Sequence, residues 1–133
     1  MDRLARKFET ARALVPKPVI QENVKHEVGI IAYGTSQWAV LEALDQLKKE
    51  QGIEASYCRL RAYPFSPQVH DFIRCHARVY VVDQNRDAQM LGLLRLELEA
   101  EDIKKLRSVR HYDGLPIDAR SITDEIVSRE AQN

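Results

Sequence analysis

Residues 28–36, VGIIAYGTS, contain one complete passage from a strand to a helix. Val28–Tyr33 is a short apolar run that ends at Gly34, which is typical of a strand buried on both faces. A helix is predicted over residues 36–50, since its apolar side chains recur at helical spacing and Gly52 ends it. The stretch therefore predicts a βα unit.

The same alternation continues along the rest of the chain. Further strands are predicted at Ile53–Leu60, Val79–Val82 and Ser108–Tyr112. Further helices are predicted to begin at Ser66 with Pro67 in the first turn, at Gln89, and at Ser121. Strands that alternate with helices at close intervals are typical of a parallel sheet covered on both faces. The predicted fold is therefore a three-layer α/β/α domain with a mostly parallel sheet.

The first 27 residues differ from the regular pattern. A chain of 133 residues has the usual size of one domain. We assign the domain to residues 28–130 and treat residues 1–27 as a linker or N-terminal extension. Pro16 and Pro18 prevent a continuous helix there. An edge strand near Pro18–Gln21 stays possible, because sheet edges tolerate proline.

The composition excludes several classes of partner. Twenty Lys and Arg residues balance twenty Asp and Glu residues, so the formal net charge is zero. We therefore expect neither nucleic acid nor membrane as a partner. No apolar run approaches the roughly eighteen residues of a transmembrane helix. The two cysteines, Cys58 and Cys75, form neither a disulfide framework nor a zinc knuckle, and we expect a cytoplasmic protein with reduced thiols.

Two loops carry polar groups at the ends of predicted strands. In a parallel sheet, ligands bind beyond the carboxyl ends of the strands, where the strand order reverses. The candidate residues for a ligand or a partner are Gly34, Thr35 and Ser36 in the first loop and Asp83, Gln84, Asn85 and Gln89 in the second. The first loop opens a helix, so its N–H groups favour an anion such as phosphate or carboxylate.

Each loop also has a purely structural interpretation. Serine and threonine begin helices in many proteins, so the first loop could simply start one. In the second loop, Asp83 could cap a helix while the neighbouring amides bond to the loop backbone. The sequence leaves both interpretations open.

No metal or catalytic site is predicted. His70, Cys75 and His76 are close in sequence, but His70 and Cys75 lie on different faces of a helix that turns about 100° per residue. Structural zinc also takes four ligands with closer pairing. The dinucleotide fingerprint, the P-loop and the nucleophile elbow of α/β-hydrolases are absent. No nucleophile–base pair is recognisable, so no catalytic residue is assigned.

Several stretches resemble one family, in the same order. Residues 28–42, VGIIAYGTSQWAVLE, look like the opening strand and helix of the transketolase C-terminal-like domain in the α subunit of 2-oxoacid:ferredoxin oxidoreductases. RAYPFSP at 61–67 is similar to the family's turn with proline and phenylalanine. VVDQNRDAQM at 81–90 is similar to its acidic-Gln-Asn segment, although Ala88 stands where glycine is usual. HYDGLPI at 111–117 resembles its closing Asp-Gly-x-Pro.

The resemblance implies a place in a larger enzyme. Such an enzyme converts a 2-oxoacid to an acyl-CoA and passes electrons to ferredoxin. It uses thiamine diphosphate, magnesium, an iron–sulfur cluster and coenzyme A. In the family the thiamine and cluster ligands lie elsewhere, so we expect no cofactor in this chain and carry over no catalytic residue. The implied partners are the remaining domains of the α subunit and the β subunit, with ferredoxin as partner of the whole enzyme.

These implications predict an assembly domain that is inactive as an isolated chain. The resemblance further suggests a mixed sheet with one antiparallel edge strand. Residues 6–12 resemble the linker to a preceding domain, so Met1 is expected to be an artificial start and the chain a fragment. An interface role predicts an exposed apolar or mixed patch. The alternative is a free-standing small α/β protein that binds an anionic ligand at the Gly34–Ser36 loop.

Overall fold

Strands and helices alternate in the computed structural model, which describes residues 16–84, 88–110 and 117–132. The elements are β1 (Val19–Gln21), β2 (Val28–Tyr33), a single 3-10 turn (Gly34–Ser36), α1 (Gln37–Gln51), β3 (Ala55–Leu60), α2 (Pro67–Cys75), β4 (Arg78–Asp83), α3 (Gln89–Glu97), α4 (Ala100–Ile103), β5 (Leu106–Arg110) and α5 (Ala119–Glu130). The linker motif at 6–12, Asn85 and most of the closing motif at 111–117 lie outside the described residues.

One five-stranded sheet has the order β1-β3-β2-β4-β5. β1 pairs antiparallel with β3, and the other neighbouring strands are parallel. The α/β class and the mostly parallel sheet with one antiparallel edge strand are therefore confirmed. From β2 the chain crosses to β3 on one side and then to β4 on the other. The strand order thus reverses between β2 and β4, which makes this the switch point of the sheet.

The sheet is covered on both faces, as the apolar run of β2 predicted. Ile30 and Ile31 point to opposite faces and both are 0% exposed. Ile30 belongs to a core cluster with residues of α1 and α5, and Ile31 to a second cluster with residues of α2 and α3. Helices on both sides of the sheet give the three predicted layers.

Two helix details differ from the sequence-based expectation. The last helix begins at Ala119. Asp118 is its N-cap, because the side chain of Asp118 accepts the N–H of Ser121 at 2.7 Å. The predicted start at Ser121 is therefore two residues too late. The four-residue helix α4 was not predicted, since it is too short for a periodic pattern. Within the described ranges, no helix is both long and apolar enough to cross a membrane.

An ion pair joins the end of α5 to β4. The guanidinium of Arg78 donates from Nε and one terminal nitrogen to the two carboxylate oxygens of Glu130, both at 2.8 Å. The hydroxyl of Tyr80 donates to the same carboxylate at 2.6 Å. Burial and this carboxylate both raise the pKa of Tyr80. The bidentate geometry fixes the last turn of α5 beside the sheet.

Replacing Cys58 with alanine is expected to flatten the alkaline loss of stability. Cys58 is 0% exposed, and burial raises the pKa of its thiol from 9.0 to about 12. Above about pH 9 the unfolded chain loses this proton while the folded chain keeps it, so stability falls as the pH rises, with a limiting slope of about 1.4 kcal/mol per pH unit. Urea unfolding across this pH range measures the slope, which should be smaller in the Cys58→Ala variant. Equal slopes in the two proteins would show that the Cys58 thiol does not cause the alkaline loss of stability.

Candidate binding edge at the switch point

The two loops singled out in the sequence meet across the switch point. We call the ends of β2, β3 and β4, with the loops that follow them, the carboxyl edge. The hydroxyl of Tyr33, the last residue of β2, donates to Oδ1 of Asp83 at 3.0 Å. Nε2 of Gln84 donates to Oγ of Ser36 at 2.7 Å. Both loops are thus joined by side-chain hydrogen bonds.

Asp83 is a buried cap for α3. It is 0% exposed, and its carboxylate accepts the N–H of Met90 at 3.0 Å and that of Leu91 at 3.4 Å. Ala88, just before the helix, has φ of 50° and makes no side-chain cap. A left-handed backbone costs alanine about 1 kcal/mol more than glycine. The distant carboxylate therefore replaces a local N-cap, and its negative charge suits the helix N-terminus.

The remaining candidate residues of the two loops differ in their exposure to solvent. Gly34 is exposed and has φ of 63°, a conformation that favours glycine. Ser36 is 1% exposed and its hydroxyl is already bonded to Gln84. The backbone of Thr35 belongs to the 3-10 turn, and Gln89 is exposed at the start of α3. Asn85 lies outside the described residues.

The structure adds residues that the sequence interpretation missed. A cavity of about 210 Å³ opens at the carboxyl edge, lined by Tyr33, Gly34, Leu60, Arg61, Ala62, Tyr63 and Met90. Trp38, in the first turn of α1, is 76% exposed, and Tyr63, after β3, is 46% exposed. A signal was present for Trp38, since this large aromatic lies outside the predicted apolar stripe of its helix.

The described residues around this cavity supply no carboxylate for the magnesium-bound diphosphate of a thiamine cofactor. The Asp83 carboxylate is occupied by three donors, and the described residues that line the cavity include no acidic side chain. Magnesium in such sites takes carboxylate and phosphate oxygens. Exposed aromatic side chains instead suit a protein contact.

Comparison with known proteins gives one sequence relative and several structures. No protein-family model matches the chain. It is 29% identical over 117 residues to 2-oxoacid:ferredoxin oxidoreductase 2, subunit alpha, from Aeropyrum pernix, a match that covers 84% of this chain. The chain spans only 18% of the length of that relative.

The structural matches share the fold. The 2-oxoglutarate:ferredoxin oxidoreductase of Magnetococcus marinus, solved with 2-oxoglutarate, coenzyme A and succinyl-CoA, has a TM-score of 0.75 at 22% identity over 90% of this chain and 21% of its own. The α chain of a probable 2-oxoacid ferredoxin oxidoreductase from Thermoplasma acidophilum has a TM-score of 0.54 at 20% identity, covering 85% of this chain and 96% of its own. A split-gene transketolase gives 0.58 at 19% identity, over 77% of this chain and 38% of its own.

The fold is that of an α/β domain similar to those in a 2-oxoglutarate:ferredoxin oxidoreductase and a split-gene transketolase. Among such proteins, the chain resembles the α subunit of 2-oxoacid:ferredoxin oxidoreductases, as its motifs predicted.

Proposed function

We propose that this chain is a non-catalytic assembly domain of a thiamine-diphosphate-dependent 2-oxoacid:ferredoxin oxidoreductase. The whole enzyme would oxidatively decarboxylate a 2-oxoacid to an acyl-CoA with electrons passing to ferredoxin. The domain would begin at the edge strand β1 (Val19–Gln21), because this strand pairs with β3 in the sheet, and the residues before it would form the linker to the rest of the α subunit. The free thiols of Cys58 and Cys75 agree with a cytoplasmic location.

Exposed aromatic side chains at the carboxyl edge carry this proposal. Trp38 and Tyr63 follow the ends of the neighbouring strands β2 and β3, so both lie at the same edge of the sheet. Tryptophan and tyrosine are enriched in protein interfaces, where burial of their large apolar surface dominates the binding energy. The sequence relative has most of its length outside the matched segment. The domains in that remaining length are the partner that such an interface would contact. We therefore assign the carboxyl edge to contact with the remaining α-subunit domains and the β subunit.

The free-standing alternative has weaker support. An anion at the Gly34–Ser36 loop would need donors that face the ligand. The Ser36 hydroxyl is buried and bonded to Gln84, so it does not face the cavity. Arg61 brings a positive charge to the cavity lining and is the observation that favours this alternative.

Replacing Trp38 with alanine is expected to weaken association with the rest of the enzyme by about 30-fold. This figure corresponds to a hot-spot loss of about 2 kcal/mol. The tagged full chain would be expressed in cells of its source and purified under native conditions. Mass spectrometry would identify the co-purifying oxidoreductase subunits, and titration of the purified partner would give the dissociation constants of the two versions.

Leu96→Ala is the matched control for this experiment. Leu96 is 81% exposed near the end of α3, away from the carboxyl edge, so its loss should leave the dissociation constant unchanged. A chain that elutes at the size of a single polypeptide, and whose melting temperature rises with phosphate or coenzyme A, would contradict the assembly role. It would support the anion-binding alternative through stabilisation by mass action.

A further inference from the structure

Three side chains with metal-binding atoms meet at the edge of the sheet opposite the carboxyl edge. A carboxylate oxygen of Glu22, a ring nitrogen of His26 and Sγ of Cys75 all lie within 4.8 Å of one another. Glu22 directly follows β1, His26 lies two residues before β2, and Cys75 ends α2. Because β1 runs antiparallel to its neighbour, its end lies beside the beginnings of the parallel strands. The fold therefore joins residues that are up to 53 positions apart in sequence.

The backbone around the cluster is anchored to the sheet. Glu22 follows the last paired residue of β1. The next residue, Asn23, donates its N–H to Oγ of Ser56 at 2.7 Å. His26 has φ of 49°, a left-handed conformation that is uncommon for residues other than glycine. Its carbonyl accepts the N–H of the residue before β4 at 3.2 Å, which holds this conformation in place.

Neighbouring groups also restrict the side chains of Cys75 and His26. Sγ of Cys75 lies 3.3 Å from the carbonyl oxygen of Phe72 and 3.3 Å from Nδ1 of His76. The ring of His26 packs edge-on against the ring of His76, with 5.2 Å between the ring centroids. His76 is 1% exposed, so it gives the side chains of Cys75 and His26 a fixed surface to pack against. Ligands held by such contacts lose less freedom when a cation binds.

We infer that Glu22, His26 and Cys75 bind a zinc-type divalent cation, with a fourth position open to water. A thiolate and an imidazole favour zinc over magnesium or calcium, which prefer oxygen ligands. Zinc distances of about 2.0–2.3 Å place tetrahedral ligand atoms about 3.3–3.8 Å apart, so modest side-chain rotations close the remaining gap. The cation would tie the segment after β1 to the end of α2. This site is independent of the proposed assembly role.

Zinc titration of the full chain, after treatment with a chelator, tests the site. We expect one zinc ion per chain and a melting temperature that rises by several degrees when zinc binds. Cobalt should produce the near-ultraviolet charge-transfer band of a thiolate ligand. The variants Cys75→Ser and His26→Asn should each lower zinc affinity by at least about 10-fold, and Cys75→Ser should remove the cobalt band. Asparagine suits position 26 because it tolerates a left-handed backbone.

Control variants separate this site from other thiol and imidazole groups. Cys58→Ala and His70→Asn should keep zinc affinity within about twofold, since neither residue belongs to the cluster. Circular dichroism in the presence of chelator would verify that every variant is folded. The inference fails if no saturable binding occurs at one equivalent of zinc. It also fails if the affinity is unchanged in both Cys75→Ser and His26→Asn.

Discussion

Replacing Asp83 with alanine is expected to lower the free energy of unfolding by about 3 kcal/mol. The buried carboxylate accepts hydrogen bonds from the Tyr33 hydroxyl and from the N–H groups of Met90 and Leu91. Alanine would leave these donors without their acceptor at a site that is 0% exposed, and each unsatisfied buried group costs about 1–3 kcal/mol. Some relaxation of the α3 N-terminus keeps the total below the simple sum. Urea unfolding measured by circular dichroism gives the difference.

Two further variants test whether the capping role causes this loss. Asp83→Asn keeps one acceptor oxygen but loses the negative charge, so about half of the effect should remain. Asp45→Ala is the control, because Asp45 is exposed in a surface pair with Lys49 and should change stability by less than about 0.5 kcal/mol. A double-mutant cycle with Tyr33→Phe would isolate the bond across the switch point. A loss below about 1 kcal/mol for Asp83→Ala would show that water or other groups replace the carboxylate.

The long strands and helices could be predicted because the spacing of apolar residues that identifies each one lies within a single stretch of sequence. Five successive apolar or small residues in Val28–Ala32 are enough to indicate a strand buried on both faces, and Ile30 and Ile31 are both fully buried. β1 and α4 have three and four residues, too few for a period to emerge. The start of α5 was ambiguous because Asp118 and Ser121 are both capping types. The choice depended on Asp118 being extended in the folded chain.

The approach of the two candidate loops could be predicted from the sequence, but the hydrogen bonds between them could not. Loops after parallel strands meet at one edge, so the approach of the two loops followed from the predicted topology. The sequence left open whether Asp83 caps a helix or faces a ligand, because the N–H groups that its carboxylate accepts belong to residues seven and eight positions later. The cluster of Glu22, His26 and Cys75 depended on an antiparallel strand of three residues. A helix-face argument confined to His70 and Cys75 could not detect it.

Replacing Gly29 with alanine is expected to lower the free energy of unfolding by about 2 kcal/mol, whereas the same substitution at Gly92 should raise it. A Cβ at Gly29 would lie 2.9 Å from Cε1 of Phe72 and 3.2 Å from Cγ of His76. Phe72 is 1% exposed and packs against the ring of His76 at 4.4 Å, so it has no space to retreat. Overpacking a tight core in this way costs about 1–3 kcal/mol.

Gly92 provides the matched control because it lies within α3 and a Cβ there meets nothing within 4 Å. Alanine in an open helix position is more favourable than glycine by about 1 kcal/mol, so Gly92→Ala should stabilise the protein. Phe72→Leu removes the ring atoms that the new Cβ would strike, so Gly29→Ala should cost less in that background than in the native chain. Urea unfolding of the native chain, Gly29→Ala, Phe72→Leu and the double variant gives the coupling energy between residues 29 and 72. If Gly29→Ala and Gly92→Ala shift stability in the same direction, the close approach of β2 to α2 does not limit the size of residue 29.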